Sequence, residues 1–410
     1  MTSCDVCIRG AGAVGLALAL ALSRQGLRVG LVPAASAAGS GGGGGAGLAE
    51  PTAPDLRTWA LNRQARALLQ QLKVWDALPA DAVTAVEDMA VAGDAEGARI
   101  GFSAWQQGVD ALAWIVDAGE LERALRAAVR FAPHVAVLPA DARVRVPGLA
   151  RPVGPAGEGE GGATAAAGPR VEAALLVLAE GKDSAGRAAL GVGFERHGYG
   201  QSALAARLQA ERPHGGLARQ WFQSPDVLAL LPFDRPQPGQ GYGLVWSLPP
   251  ERAAELAAAD PAAFEAALME ATGGAAGPLR LVGERAVWPL AIGHARPVCG
   301  AGWVLVGDAA HQVHPLAGQG LNLGLADVSA LAAVLAAREP WRALGDERLL
   351  RRHERARAWP VTAMAGLTDG LQRLFALPGA APKELRNRGL TLLDRLAPLK
   401  RVLAGQAFGD

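Results

Sequence analysis

Three glycines spaced Gly10-x-Gly12-x-x-Gly15 follow the apolar stretch Asp5-Val-Cys-Ile and open a run of Leu and Ala that stops at Gly26. Strand, glycine turn, helix and a second strand over 28–32 are the parts a dinucleotide requires. The first glycine allows the turn, the second lets a diphosphate approach the helix N-terminus, and the third packs helix on strand. A β-α-β unit without a ligand is the alternative. Another elaborate turn stands far along the chain, where an apolar strand runs into Gly307-Asp308 and then through Pro315, Gly318 and Gly320 to Leu321, Asn322 and a helical Leu/Ala repeat. Two such turns suggest one long ligand gripped at both ends. Between them, a buried strand from Val171 closes on Glu180-Gly181. Two residues depart from the dinucleotide pattern: the second strand ends at Pro33 instead of a ribose-binding carboxylate, and Arg9 precedes the first glycine where an apolar side chain is usual.

Other reactive side chains have blander readings. Cys4 and Cys7 form C-x-x-C, but in a strand residues three apart point to opposite faces, so packing is expected rather than redox or metal chemistry. His311 and His314 form H-x-x-H without a carboxylate at ligand spacing, and no metal is expected. The 410 residues are 50% hydrophobic and 19% charged with a net charge of +1, a globular composition that offers no basic field to nucleic acid. Three cysteines, an odd and sparse set, fit a reducing compartment, with the cytoplasm as default. No apolar run approaches the roughly 20 residues of a membrane span, and no secretory signal is visible.

These residues need elements to hold them. Asp55 to Leu78 carries helical periodicity with Trp59, Leu61, Leu68, Leu69 and Leu72 on its buried side, and Arg57 at its start reads as a solvated charge unless a ligand claims it. Residues 112–129 read as a strand then a helix, with Glu120 near its start. Pro152 to Pro169 reads as a loop within a hairpin. Residues 199–250, with short apolar strands between Pro- and Gly-rich turns, predict a mostly antiparallel sheet; its Phe233 and Trp246 either line a pocket or fill a core. Residues 251–272 read as helical. From about Trp341 helical pattern alternates with Pro360, Pro378, Pro382 and Pro398.

Together, Gly10-Ala-Gly12-Ala-Val-Gly15, Ala179-Glu-Gly181-Lys-Asp-Ser184, Gly307-Asp308-Ala-Ala-His311 and Pro315-Leu-Ala-Gly-Gln-Gly-Leu-Asn322 resemble the FAD-dependent aromatic hydroxylases, the class A flavoprotein monooxygenases. The segment Tyr199 to Phe222, with LALLPF, VWSLP and WPL after it, is similar to their ubiquinone-biosynthesis branch. The resemblance implies an α/β fold: a Rossmann-like, three-layer ββα FAD-binding domain, a mostly antiparallel substrate domain and a helical C-terminal tail. The implied division is 1–182 for the first part of the FAD domain, with 80–110 contributing to the substrate region, 183–285 for the substrate domain, 286–345 for the returning FAD part and 346–410 for the helical C-terminal region.

By the same resemblance, Gly10, Gly12, Gly15, Arg57, Glu180, Gly181, Gly307, Asp308, Pro315, Gly318, Gly320, Leu321 and Asn322 hold FAD, with Asp308 at the ribityl and pyrophosphate region. Phe233 and Trp246 are the substrate-side candidates. The family has Asp where this chain has Glu180. NAD(P)H would serve as a transient reductant, and oxygen would pass to a phenol ring through a flavin C4a-hydroperoxide. The implied substrate is a polyprenylated phenol dissolved in the membrane. Work at its inner face or in a quinone-biosynthesis complex is therefore implied, and the tail from Lys383 to Arg401 reads as either a surface-seeking segment or a helix docked on its own protein. A hydroxylase of another small aromatic and a non-catalytic accessory flavoprotein stay open as alternatives.

Overall fold

A helix made almost wholly of Ala and Leu has no polar side to present to water, so it must lie inside. In the computed structural model, which describes residues 2–33, 48, 55–93, 98–154, 168–313 and 319–376, every residue of α1 (Ala13–Ser23) except Val14 is buried. α1 packs between the first sheet and two other helices, α4 (Ala118–Arg130) and α8 (Gln319–Ala336). That sheet contains β1 (Thr2–Arg9), β2 (Val29–Val32), β8 (Val135–Val137), β9 (Arg143–Arg145), β10 (Arg170–Leu178), β16 (Cys299–Gly300) and β17 (Trp303–Leu305). Its order is β16-β17-β10-β1-β2-β8, with β9 beside β10, and all pairs but β16–β17 are parallel. Helices cover one face, and Val144, Val146, Val153, Phe194 and Ala295 pack on the other, which is why the strands are apolar on both sides.

The second sheet contains β5 (Asp88–Ala92), β6 (Arg99–Ser103), β11 (Gly193–Ala210), β12 (Leu217–Gln223), β13 (Asp226–Phe233), β14 (Gly241–Leu248), β15 (Leu279–Arg296) and β18 (His311–Gln312). Its order is β18-β15-β11-β14-β13-β12-β5-β6, antiparallel except at β12–β5. α6 (Pro250–Ala258) and α7 (Pro261–Thr272) close one face over Tyr242, Leu244 and Trp246. The other face meets a small third sheet of β3 (Thr58–Leu61), β4 (Val83–Val86) and β7 (Ala113–Asp117), where Ala60, Val86 and Ile115 pack with Leu231 and Phe233. Short helices α2 (Arg63–Gln71), α3 (Ala104–Gln107) and α5 (Ala185–Ala189) link the sheets, and α9 (Glu347–Ala376) packs on α8. The fold is the mixed α/β arrangement that the resemblance implies.

Several local expectations give way. The stretch from Asp55 begins as β3 before α2, because β3 completes the third sheet by pairing with β7. β9 and β10 flank the 152–169 loop but pair in parallel, so that loop is a crossover and not a hairpin turn. α9 continues through Pro360. The boundary expected at 285/286 falls inside β15. Cys4 and Cys7 share a face: the amides of Asp5 and Val6 both donate to the Arg28 carbonyl, at 2.8 and 3.2 Å, a bulge that shifts the alternation and brings both thiols into one cluster. The tail from Lys383 to Arg401 lies outside the described residues.

Candidate functional site

The glycine turn after β1 is built for close approach. Gly10 has φ +109°, and a Cβ there would stand 2.2 Å from the Ala179 carbonyl oxygen; one at Gly15 would stand 1.9 Å from the Gly10 oxygen. A Cβ on Gly12 would meet nothing within 4 Å. Gly12 caps α1 without a side-chain hydrogen bond, and no acidic residue occupies the helix's first turn. An uncapped N-terminus with open space before it presents free N–H groups and the positive end of the helix dipole to an anion.

The second motif touches the first. The Ala179 amide donates to the Arg9 carbonyl at 2.7 Å, and the side chains beside them form a buried ion pair, Arg9 Nε to Glu180 Oε1 at 2.9 Å. Arg9 also donates to the Ala142 carbonyl at 3.1 Å. Glu180 Oε2 accepts from the Ser184 hydroxyl and the Gly186 amide, each at 2.7 Å. Glu180 therefore orders the turn into α5 with both oxygens engaged, and Gly181, at φ +77°, makes that turn.

Gly307 turns at φ +61° after β17 and carries Asp308 to the surface. Solvent reaches the Asp308 side chain. Its carboxyl is nonetheless held above the usual carboxylate range by desolvation, against the opposing pull of His311, Arg57 and Lys182. Arg57 donates to the Asp55 carboxylate at 2.9 and 2.6 Å and lies over the Trp59 ring at 4.9 Å. Burial alone would lower its pKa, but Asp55 keeps it raised and charged.

The N-terminal turn of α8 completes the group. Gly320 is half-buried and Leu321 and Asn322 are buried, while Pro315 and Gly318 lie outside the described residues. Asn322 braces the helix: Nδ2 donates to the Ala60 carbonyl at 2.8 Å, and Oδ1 accepts from the Asn62 amide at 3.0 Å. Two residues that the sequence reading passed over support this end. A Cβ on Gly324 would strike Val14 Cγ2 at 2.6 Å and Gly307 Cα at 3.5 Å, so α1, α8 and the Gly307 turn meet there. Asp327 bonds the Gly307 amide at 2.8 Å. A glycine and a carboxylate inside an otherwise apolar helical repeat were the available signals.

The two substrate-side candidates separate. Phe233 faces the third sheet with Arg207 stacked 4.5 Å above its ring. Trp246 lies on the opposite face of the same sheet, under α6 and α7, because alternate residues of paired strands point to opposite sides. Both are core residues, Phe233 at 0% and Trp246 at 1% exposure, and neither lines an open surface.

The site thus joins an uncapped helix N-terminus and, packed against its first turn through Val14, the Gly307 turn that carries a carboxylate, which suits a dinucleotide with a polar linker. A model of the FAD binding domain matches residues 154–366, just over half of the chain. The 3-demethoxyubiquinol 3-hydroxylase of Escherichia coli is 30% identical over 407 residues, which cover 99% of this chain and 98% of that one. The chain belongs to the FAD-dependent hydroxylases of ubiquinone biosynthesis. Ubiquinone hydroxylase UbiL of Rhodospirillum rubrum is 36% identical over 248 residues, 60% of this chain; the match spans 57% of that relative's length. The fold agrees with that of PqsL from Pseudomonas aeruginosa, TM-score 0.70 at 22% identity, covering 95% of this chain and 100% of that one. As a family member the protein is a flavin monooxygenase that binds FAD, and the open Gly12 cradle and the solvent-exposed Asp308 carboxyl fit that cofactor.

Proposed function

We propose that the protein hydroxylates the aromatic ring of a polyprenylated phenol in ubiquinone biosynthesis. In balanced form, the ring C–H, O2, NAD(P)H and a proton give the phenol, water and NAD(P)+. When bound, FAD supplies the redox chemistry, accepting hydride from the nicotinamide and activating oxygen. The chain's own residues bind and orient. The α1 N-terminus at Gly12 takes the diphosphate, with Gly10 and Gly15 allowing the approach. Arg57 and Lys182 neutralise the linker, and Asp308 accepts from its hydroxyl groups. Gly307, Gly320 and Leu321 shape the flavin end, which Asn322 braces from behind. Glu180 and Gly181 act one step removed, by fixing the turn beside Gly10.

The observation that carries this reading is the open, uncapped N-terminus of α1 at Gly12 with the Gly307–Asp308 turn packed beside it, where a Cβ on Gly307 would lie 3.3 Å from Val14 in the first turn of that helix. A phenol carrying a polyprenyl chain is dissolved in lipid, so the working position is the membrane's inner face, reached peripherally or within a quinone-biosynthesis complex. No helix among the described residues is long and apolar enough to cross a membrane.

Complementation tests the reading. In a bacterium stripped of its quinone-ring hydroxylases, the wild-type chain should convert the accumulated intermediate to the next hydroxylated species by mass. Gly12→Trp, which fills the diphosphate cradle, should not. Conversion by neither protein would leave an accessory role in the pathway, and conversion by both would remove the cofactor from the reaction.

A further inference from the structure

Beneath the Gly307–Asp308 turn lies a buried charged cluster that the binding reading does not use. Asp327 is 2% exposed on α8. Its Oδ2 accepts from the Gly307 amide at 2.8 Å and contacts His311 Nε2 at 2.7 Å, while Oδ1 accepts from Arg357 Nε at 2.6 Å. Arg357 belongs to α9 and also donates through Nη2 to the Leu323 carbonyl in the first turns of α8, at 3.2 Å. Four pieces of chain therefore meet on one carboxylate: the turn, the short strand β18, α8 and α9.

We infer that Asp327 and Arg357 are positioning residues of the cofactor site, setting the distance between the Asp308 turn and the N-terminus of α8. The inference rests on the FAD reading of that site. A buried carboxylate costs several kcal/mol unless ionic partners and hydrogen bonds compensate it, and core packing alone would be served as well by an apolar residue. Here one of the compensating bonds is the amide of the residue next to Asp308. Gly307 has left the β ladder at φ +61°, so its buried N–H needs an acceptor, and Asp327 of α8 provides it. One turn earlier on α8, a Cβ on Gly324 would strike Val14 Cγ2 at 2.6 Å and touch Gly307 Cα at 3.5 Å, so α8 lies in contact with both the first turn of α1 and the Gly307 turn. Arg357 holds α8 at both the carboxylate and the Leu323 carbonyl, and a planar guanidinium does this with a fork that an ammonium cannot copy. α9 thereby becomes part of what holds the Asp308 turn and the N-terminus of α8 in register.

The test uses full-length protein and measures FAD dissociation constants by flavin fluorescence, the visible spectrum of bound flavin, and far-UV circular dichroism. Wild type, Arg357→Lys, Arg357→Gln and Asp308→Ala are compared at a temperature well below unfolding. For Arg357→Gln we expect native circular dichroism, FAD binding weakened by about tenfold and a shifted flavin band, with Arg357→Lys between it and wild type. Native circular dichroism with wild-type affinity and an unshifted band in Arg357→Gln would reduce the cluster to a stability element and overturn the inference. If the Gln variant fails to fold, the Lys variant decides: weaker binding in a folded protein supports the inference, and unchanged binding removes it. Asp308→Ala separates this from the underlying reading, because wild-type FAD affinity in that variant sinks the Asp308 turn as cofactor site and the inference with it.

Discussion

Arg9 and Glu180 stand side by side at the C-terminal ends of neighbouring parallel strands, β1 and β10, their side chains 4% and 7% exposed and joined at 2.9 Å. Each alone is a departure from the pattern of its motif; together they are one pair, a cation balanced by the longer carboxylate that reaches it. Arg9→Met should therefore cost about 3 to 5 kcal/mol, since it leaves a buried carboxylate without its cation. In Arg9→Met/Glu180→Gln the loss should be smaller than the two single losses added, by at least about 1 kcal/mol. Urea unfolding of the four proteins measures that coupling, and simple additivity would mean the pair does not interact.

Asp308→Ala should weaken FAD binding by about 1 to 3 kcal/mol, the cost of losing an acceptor for buried ligand hydroxyls. Pro33→Ala should leave it close to wild type, because Pro33 has no side-chain hydrogen bond to give. Fluorescence titration of both variants checks the contrast, and equal affinities would move the ribityl contact elsewhere.

Gly324→Ala places a methyl group 2.6 Å from Val14 Cγ2. Overpacking of this kind costs about 1 to 3 kcal/mol, more than the roughly 1 kcal/mol that Ala gains over Gly in a helix. Trimming the neighbour should reverse the sign, so Val14→Ala/Gly324→Ala should be more stable than Gly324→Ala alone. Thermal melts give the order directly; a Gly324→Ala protein as stable as wild type would show that α8 shifts freely.

Two histidines near Asp327 titrate in opposite senses. Burial would lower His311, but Asp327 beside it raises it above its ordinary value. His353, fully buried and without that bond, is pushed down by desolvation to about 4. A histidine raised in the folded state stabilises below its unfolded pKa of about 6.5 and loses that contribution as pH rises through the folded value; one that is depressed destabilises as pH falls below 6.5. Asp327, held well below the carboxylate range by His311 and Arg357 against its burial, adds nothing to this window. The cofactor-free protein should be most stable near pH 6.5. Replacing His311 with Gln should flatten the alkaline limb, and His353→Phe the acid limb, in melting temperatures taken from pH 5 to 8.

What could be read from the residues in order was local. The spacing of Gly10, Gly12 and Gly15 dictates a turn whatever surrounds it, and so does Gly307 before Asp308. The alternation between Val227 and Leu248 dictates strands, and those became β13 and β14. What could not be read depends on neighbours brought from far away. Nothing near Arg9 announces Glu180, because their meeting depends on the register of β1 with β10. The face of Cys4 depends on a bulge against Arg28. Which side Trp246 takes follows from where α6 and α7 lie, and the purpose of Asp327 becomes visible only once Gly307 is known to need an acceptor.

The order of strands in the first sheet also governs when the protein can become native during synthesis. β1 pairs with β10, so the N-terminal strand waits for residues 171–178 before its second neighbour exists. The far edge of β10, Leu176 to Leu178, waits longer, for Trp303 to Leu305 of β17. α8, which buries α1, comes later still. A nascent chain that has released the glycine turn therefore carries an apolar helix and an open strand edge until the second sheet has been completed, and this is the interval in which holding by a chaperone, or aggregation, competes with folding.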